Sequence, residues 1–87
     1  MKYTVVWRPV AEAELAELWS TATARDAIAI AADDIDAMLA RDPLSCGESR
    51  RASTRILVVA PLAALYSVSE DDQLVAVLAV WRWGRAP

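Results

Sequence analysis

Five arginines, Arg50, Arg51, Arg55, Arg82 and Arg85, are the only basic residues after position 43. A guanidinium is always charged, and its planar fork suits phosphate and carboxylate oxygens or the charge that develops on phosphorus during displacement. Taken singly, each is an ordinary surface arginine. Their concentration in one half makes an anion-facing patch an equally good reading. Trp81 and Trp83 alternate with Arg82, a pattern that stacks on nucleic-acid bases in some proteins and more often finishes a core or an interface. Tyr66 offers a hydroxyl within an apolar run, where core packing is the plainer role. Asp33, Asp34 and Asp36 do not converge on one helix face, so a solvated face is expected there and no metal site. Glu70-Asp71-Asp72 reads as a polar turn. Cys46 beside Gly47 reads as an incidental thiol, with Arg50 the only cation near in sequence to activate it.

What is missing narrows the chemistry further. The 87 residues contain no His, no Phe and a single Cys. Histidine-dependent triads and dyads, the common zinc sites, an intrachain disulfide and a CxxC pair are therefore excluded. No cofactor or metal is expected. The length suits one domain over residues 1–87, held by apolar burial, which the 56% hydrophobic content makes feasible. The net charge of −3 argues against free-DNA binding by the chain alone. It divides unevenly: residues 1–43 carry four basic and eight acidic groups, residues 44–87 five and four. The apolar run at residues 3–7 is too short for a signal-peptide core, and the longest uncharged stretch, 56–69, contains Pro61 and falls short of a membrane span. A soluble, cytoplasmic protein with no membrane partner is expected.

The elements that must position these residues follow from periodicity. Residues 2–7 are β-branched and aromatic and read as a strand ended by Pro9, which suits the first turn of a helix. Ala11, Leu15, Leu18, Trp19 and Ala22 then follow helical spacing to about Thr21. A second helix, capped by Thr23 or Thr21, carries the stripe Ile28, Ala31, Ala32, Ile35, Met38 and Leu39 to about Ala40 and ends at Asp42-Pro43. Residues 43–52 read as a loop. Residues 53–60, 63–69 and 73–82 read as three strands, joined around Pro61-Leu62 and the acidic turn.

The last strand is apolar on both sides. Strict alternation sets Leu74, Ala76, Leu78 and Val80 against Val75, Val77, Ala79 and Trp81. Two helices cover one face of a four-stranded sheet, so the other is closed by a second chain or by sheet twist and the C-terminal tail.

In order and spacing these features resemble the RelE/ParE superfamily of bacterial type II toxin–antitoxin modules. The residues that carry the resemblance are Tyr3-Thr4-Val5-Val6-Trp7-Arg8-Pro9-Val10-Ala11, Leu15-Ala16-Glu17-Leu18-Trp19, Ile35-Asp36-Ala37-Met38-Leu39 with Asp42-Pro43, and Gly47-Glu48-Ser49-Arg50. Arg55-Ile56-Leu57, Pro61-Leu62, Leu65-Tyr66-Ser67-Val68, Val75-Ala76-Val77-Leu78-Ala79-Val80 and Arg85 complete it. The resemblance implies an α+β fold of order β-α-α-β-β-β, a two-helix hairpin on one face of a curved antiparallel sheet of about four strands. It also implies a cognate antitoxin, expected on Val75, Val77 and Trp81.

Activity divides within the superfamily. RelE-like members cut messenger RNA in the ribosome with basic residues on the sheet and a C-terminal Tyr or His; here Glu48 would be the base and Arg55 and Arg82 the charge stabilisers, with no residue for the acid. ParE-like members, of plasmid-stabilisation type, poison DNA gyrase by binding it, which needs no catalytic set. The expectation is therefore a ParE-like growth inhibitor that is not an enzyme and uses Arg50, Arg51, Arg55, Arg82, Trp83 and Arg85 against its target. A ribosome-dependent endoribonuclease is the first alternative, and a degenerate, non-toxic interaction protein the second.

Overall fold

The computed structural model describes residues 2–51 and 54–84. Strand β1 (Thr4–Trp7) leads into α1 (Pro9–Thr21), α2 (Arg25–Arg41) and then β2 (Glu48–Arg51), β3 (Thr54–Val59), β4 (Leu62–Ser69) and β5 (Leu74–Arg82). The expected order holds, with Pro9 opening α1 and Asp42 closing α2. The caps differ. Ala24 occupies the start of α2 without a side-chain cap, because α1 retains Thr21, whose hydroxyl donates back to the Glu17 carbonyl at 2.9 Å.

The sheet has five strands in the order β1-β5-β4-β3-β2. Three antiparallel ladders join β2 through β5, whereas β1 pairs parallel with β5, placing Val5 opposite Val75 and Trp7 opposite Val77. The sheet is thus mixed where an antiparallel one is expected. Short turns connect β3, β4 and β5 and force antiparallel neighbours; the helical hairpin between β1 and the rest removes that restriction. The additional strand, β2, lies within the stretch read as a loop. Its Glu48-Ser49-Arg50-Arg51 sequence has no apolar alternation, and it forms because β3 offers it an unpaired edge.

Both helices pack on one face. Ala11 of α1 and Ile28, Ala31, Ile35 and Leu39 of α2 are buried against Leu57, Leu62, Ala64, Tyr66, Val75, Val77 and Val80. The α2 stripe is the expected one, with Ala32 and Met38 partly buried at its border. On α1, Trp19 departs from the expected core and is 45% exposed, with the Arg25 guanidinium 4.8 Å from its ring centroid. Beyond the end of β1, the edge of β5 is met by a side chain: Glu14 accepts a hydrogen bond from the Val80 N–H at 3.0 Å. That satisfies a backbone donor that no strand reaches.

The β4–β5 ladder corrects the reading of the last strand. Leu65 pairs with Ala79 and Tyr66 with Val77, so Leu78 is an extra residue in a bulge. The inward set changes phase there, and Val75, Val77 and Val80 all face the helices, at 0%, 0% and 1% exposure. Val75 and Val77 are therefore core residues and no docking surface. Leu74, Ala76, Ala79 and Trp81 are the β5 residues on the open face.

Candidate functional site

Tyr66 anchors one corner of the sheet. It is fully buried, and its hydroxyl proton serves the carbonyl oxygens of Pro43 and Cys46, 2.7 and 2.6 Å away. The Cys46 thiol lies 3.9 Å from the same hydroxyl oxygen and can donate to it. Arg55, the cross-strand neighbour of Tyr66, donates from Nη2 to the Gly47 carbonyl at 3.1 Å. These bonds fasten residues 43–47 over the end of the core. Burial pushes the Tyr66 phenol up to about 12, with Arg55 pulling the other way and Cys46 opposing Arg55. A phenol so placed holds a loop and stays protonated well above neutrality.

The clasp has a stability signature. Because the folded-state value lies above the ordinary 10.0, the unfolded chain loses the phenolic proton first. Stability is full below pH 10 and falls by about 2 to 3 kcal/mol as pH rises toward 12. Tyr66→Phe should remove this slope and cost about 1 to 3 kcal/mol at neutral pH by leaving the buried Pro43 carbonyl and the part-buried Cys46 carbonyl without the hydroxyl. Urea titrations of both proteins at pH 7 and pH 11 check both effects; an unchanged slope in the variant would assign the pH dependence elsewhere.

The expected site residues do not converge. Glu48 is opposite Ile56 in the β2–β3 ladder, one position out of phase with Arg55, so the two project from opposite faces. Arg82 pairs with Leu62, four residues along β4 from the partner of Arg55, or about 13 Å. Glu48, Arg55 and Arg82 thus share no reacting point, and Arg55 is committed to Gly47. Arg50 is exposed on edge strand β2, and Arg51 follows it in that strand. Arg82 and the 50%-exposed Trp83 stand at the far end of β5. Arg85 lies outside the described residues. Among those described, no group of three or more His, Cys, Asp or Glu is placed to hold a metal ion, and no helix is long and apolar enough to cross a membrane.

The open face is the more coherent surface. Alternation from the ladders places Val6, Ile56, Val58, Leu65, Ala76, Ala79 and Trp81 on it. Val6 and Val58 are 43% and 41% exposed, while Ala63, between Val58 and Trp81 in register, is completely covered. This is a continuous apolar surface on the side away from the helices. Sequence reasoning found its existence but misassigned its β5 members, since a bulge leaves no mark in an all-apolar run. It also missed Glu14, a helical carboxylate indistinguishable by type from Glu12 and Glu17.

The two-helix hairpin on one face of a five-stranded mixed sheet is a fold shared with solved toxin–antitoxin structures. No family model matches the chain and no curated protein matches it, but solved structures do. A chain of the RelBE2 toxin–antitoxin complex of Mycobacterium tuberculosis superposes with a TM-score of 0.78 at 24% identity, covering 94% of this chain and 92% of that one. A chain of the chromosomal ParDE system of P. aeruginosa gives 0.70 at 18% identity over 95% and 98% of the two chains. The isolated RelE toxin of E. coli gives 0.68 at 16% identity over 97% and 87%. The likeness is one of fold, and it spans both toxin types.

Proposed function

We propose that this chain is the toxin of a bacterial type II toxin–antitoxin module, neutralised by a cognate antitoxin and acting, like ParE, by binding a cytoplasmic target such as DNA gyrase. The observation that carries the binding mode is the separation of Glu48, Arg55 and Arg82 across two faces and two ends of the sheet. Cleavage of RNA needs a base, charge stabilisation and an acid around one phosphate; Tyr66, the one phenol on these strands, is closed beneath residues 43–47. The near-complete overlap with toxins of both types supports the broader reading. Arg82 and Trp83, consecutive and both exposed where β5 ends, are the target-binding residues favoured by position, with Arg50 on the separate β2 edge. The antitoxin occupies the open face at Ala76, Ala79 and Trp81.

Purified gyrase tests the target. The chain should inhibit supercoiling, and Arg82→Ala combined with Trp83→Ala should weaken inhibition at least about tenfold, the loss of one or two interface anchors, with an unchanged circular dichroism spectrum. Gyrase left untouched while ribosome-bound messages are cut would assign the chain to the endoribonuclease alternative.

A further inference from the structure

The two helices leave a groove of about 580 Å³ between them, on the side of the molecule away from the open sheet face. Leu15, Ile28 and three alanines, Ala16, Ala29 and Ala32, line it together with Trp7 and Trp19. The alanines create the space, since larger residues at those positions would fill the seam between α1 and α2. Glu12, Asp33 and Asp36 stand on its rim. Asp36 accepts a hydrogen bond from Trp7 Nε1 at 3.1 Å, which fixes that indole, whereas among the described residues Glu12 and Asp33 meet no cation of this chain. The bias extends over the whole hairpin, where α1 and α2 carry seven carboxylates against Arg25 and Arg41.

We infer that this groove is a second docking site, taking an amphipathic helical segment of a partner protein whose apolar stripe is flanked by Lys or Arg. The size and apolar lining suit side chains spaced at i, i+3 and i+4 on a helix. The acidic rim selects the flanks, favouring cations and repelling an acidic segment of the same shape. The inference rests on the shape and charge of the helix pair and stands apart from the toxin reading.

Two synthetic helices of about 18 residues, long enough to hold helical structure, test it: both carry the same leucine stripe, one flanked by lysines and the other by glutamates. The lysine peptide should shift the indole N–H resonances of Trp7 and Trp19 while leaving those of Trp81 and Trp83 in place, and the glutamate peptide should bind at least about tenfold more weakly. Glu12→Lys with Asp33→Lys, both at exposed positions, should reverse that preference. Ala29→Trp, which fills the groove without altering its charge, should abolish binding of either peptide. Equal affinity for the two peptides, shifts confined to Trp81 and Trp83, no binding, or a charge-reversed variant with its preference intact would each overturn the inference.

Discussion

Gly47→Ala is expected to cost about 3 to 4 kcal/mol of stability, from a left-handed backbone and an overpacked side chain together. Gly47 has φ +78°, where an L side chain is strained, and an added Cβ would lie 2.7 Å from both the Ile56 carbonyl oxygen and the Tyr66 hydroxyl. Neither atom can yield cheaply. The first belongs to the β3 backbone, and the second is held by the carbonyls of Pro43 and Cys46. Relief would require lifting residues 43–47, which also breaks the Arg55 bond to Gly47. In a domain of this size that loss is a large fraction of the total. Urea denaturation measures it directly, and a variant within about 0.5 kcal/mol of the parent, the range of an unconstrained surface change, would refute the clasp.

Trp81→Ala should weaken antitoxin binding by about 30-fold or more, as loss of a central aromatic anchor does. The partner to use is the product of a small open reading frame beside the gene. Trp81 lies on the open apolar face next to the fully covered Ala63, so Ala79→Arg provides a second variant that adds charge to that face without opening a gap over Ala63. Val77→Ala serves as the contrast. Its side chain faces the helices at 0% exposure, so it should lower stability by about 1 to 3 kcal/mol and leave the affinity of the folded protein unchanged. Calorimetric titration of the three variants separates these outcomes; a strong affinity loss in Val77→Ala with none in Trp81→Ala would place the antitoxin elsewhere.

The legible parts of this fold are those written in local chemistry. Pro9, Asp42-Pro43 and Glu70-Asp71-Asp72 punctuate the chain where elements end, and the Ile28, Ala31, Ile35 and Leu39 stripe on α2 is a helical period that maps directly onto the core. What could not be read depends on long-range pairing. Strand β2 takes its conformation from β3, the parallel register of β1 from β5, and the phase change at Leu78 from a two-against-one match with β4. The site suffers from the same cause. A cluster of arginines in one half of the sequence suggests a patch, yet a single step of phase turns Arg55 away from Glu48, and sheet order sends Arg82 to the other end. Tyr66 was legible as a core residue, but its partners, some 20 residues earlier in the chain, were not.

Pulse labelling after induction in a bacterium tests the account most directly, because it reports which synthesis fails first without presupposing the target. A toxin that binds gyrase should stop DNA synthesis before translation, with filamentation, a DNA-damage response and intact messages. Early arrest of translation with cleaved messages would contradict the binding mechanism, and unimpaired growth with abundant folded protein would contradict toxicity itself.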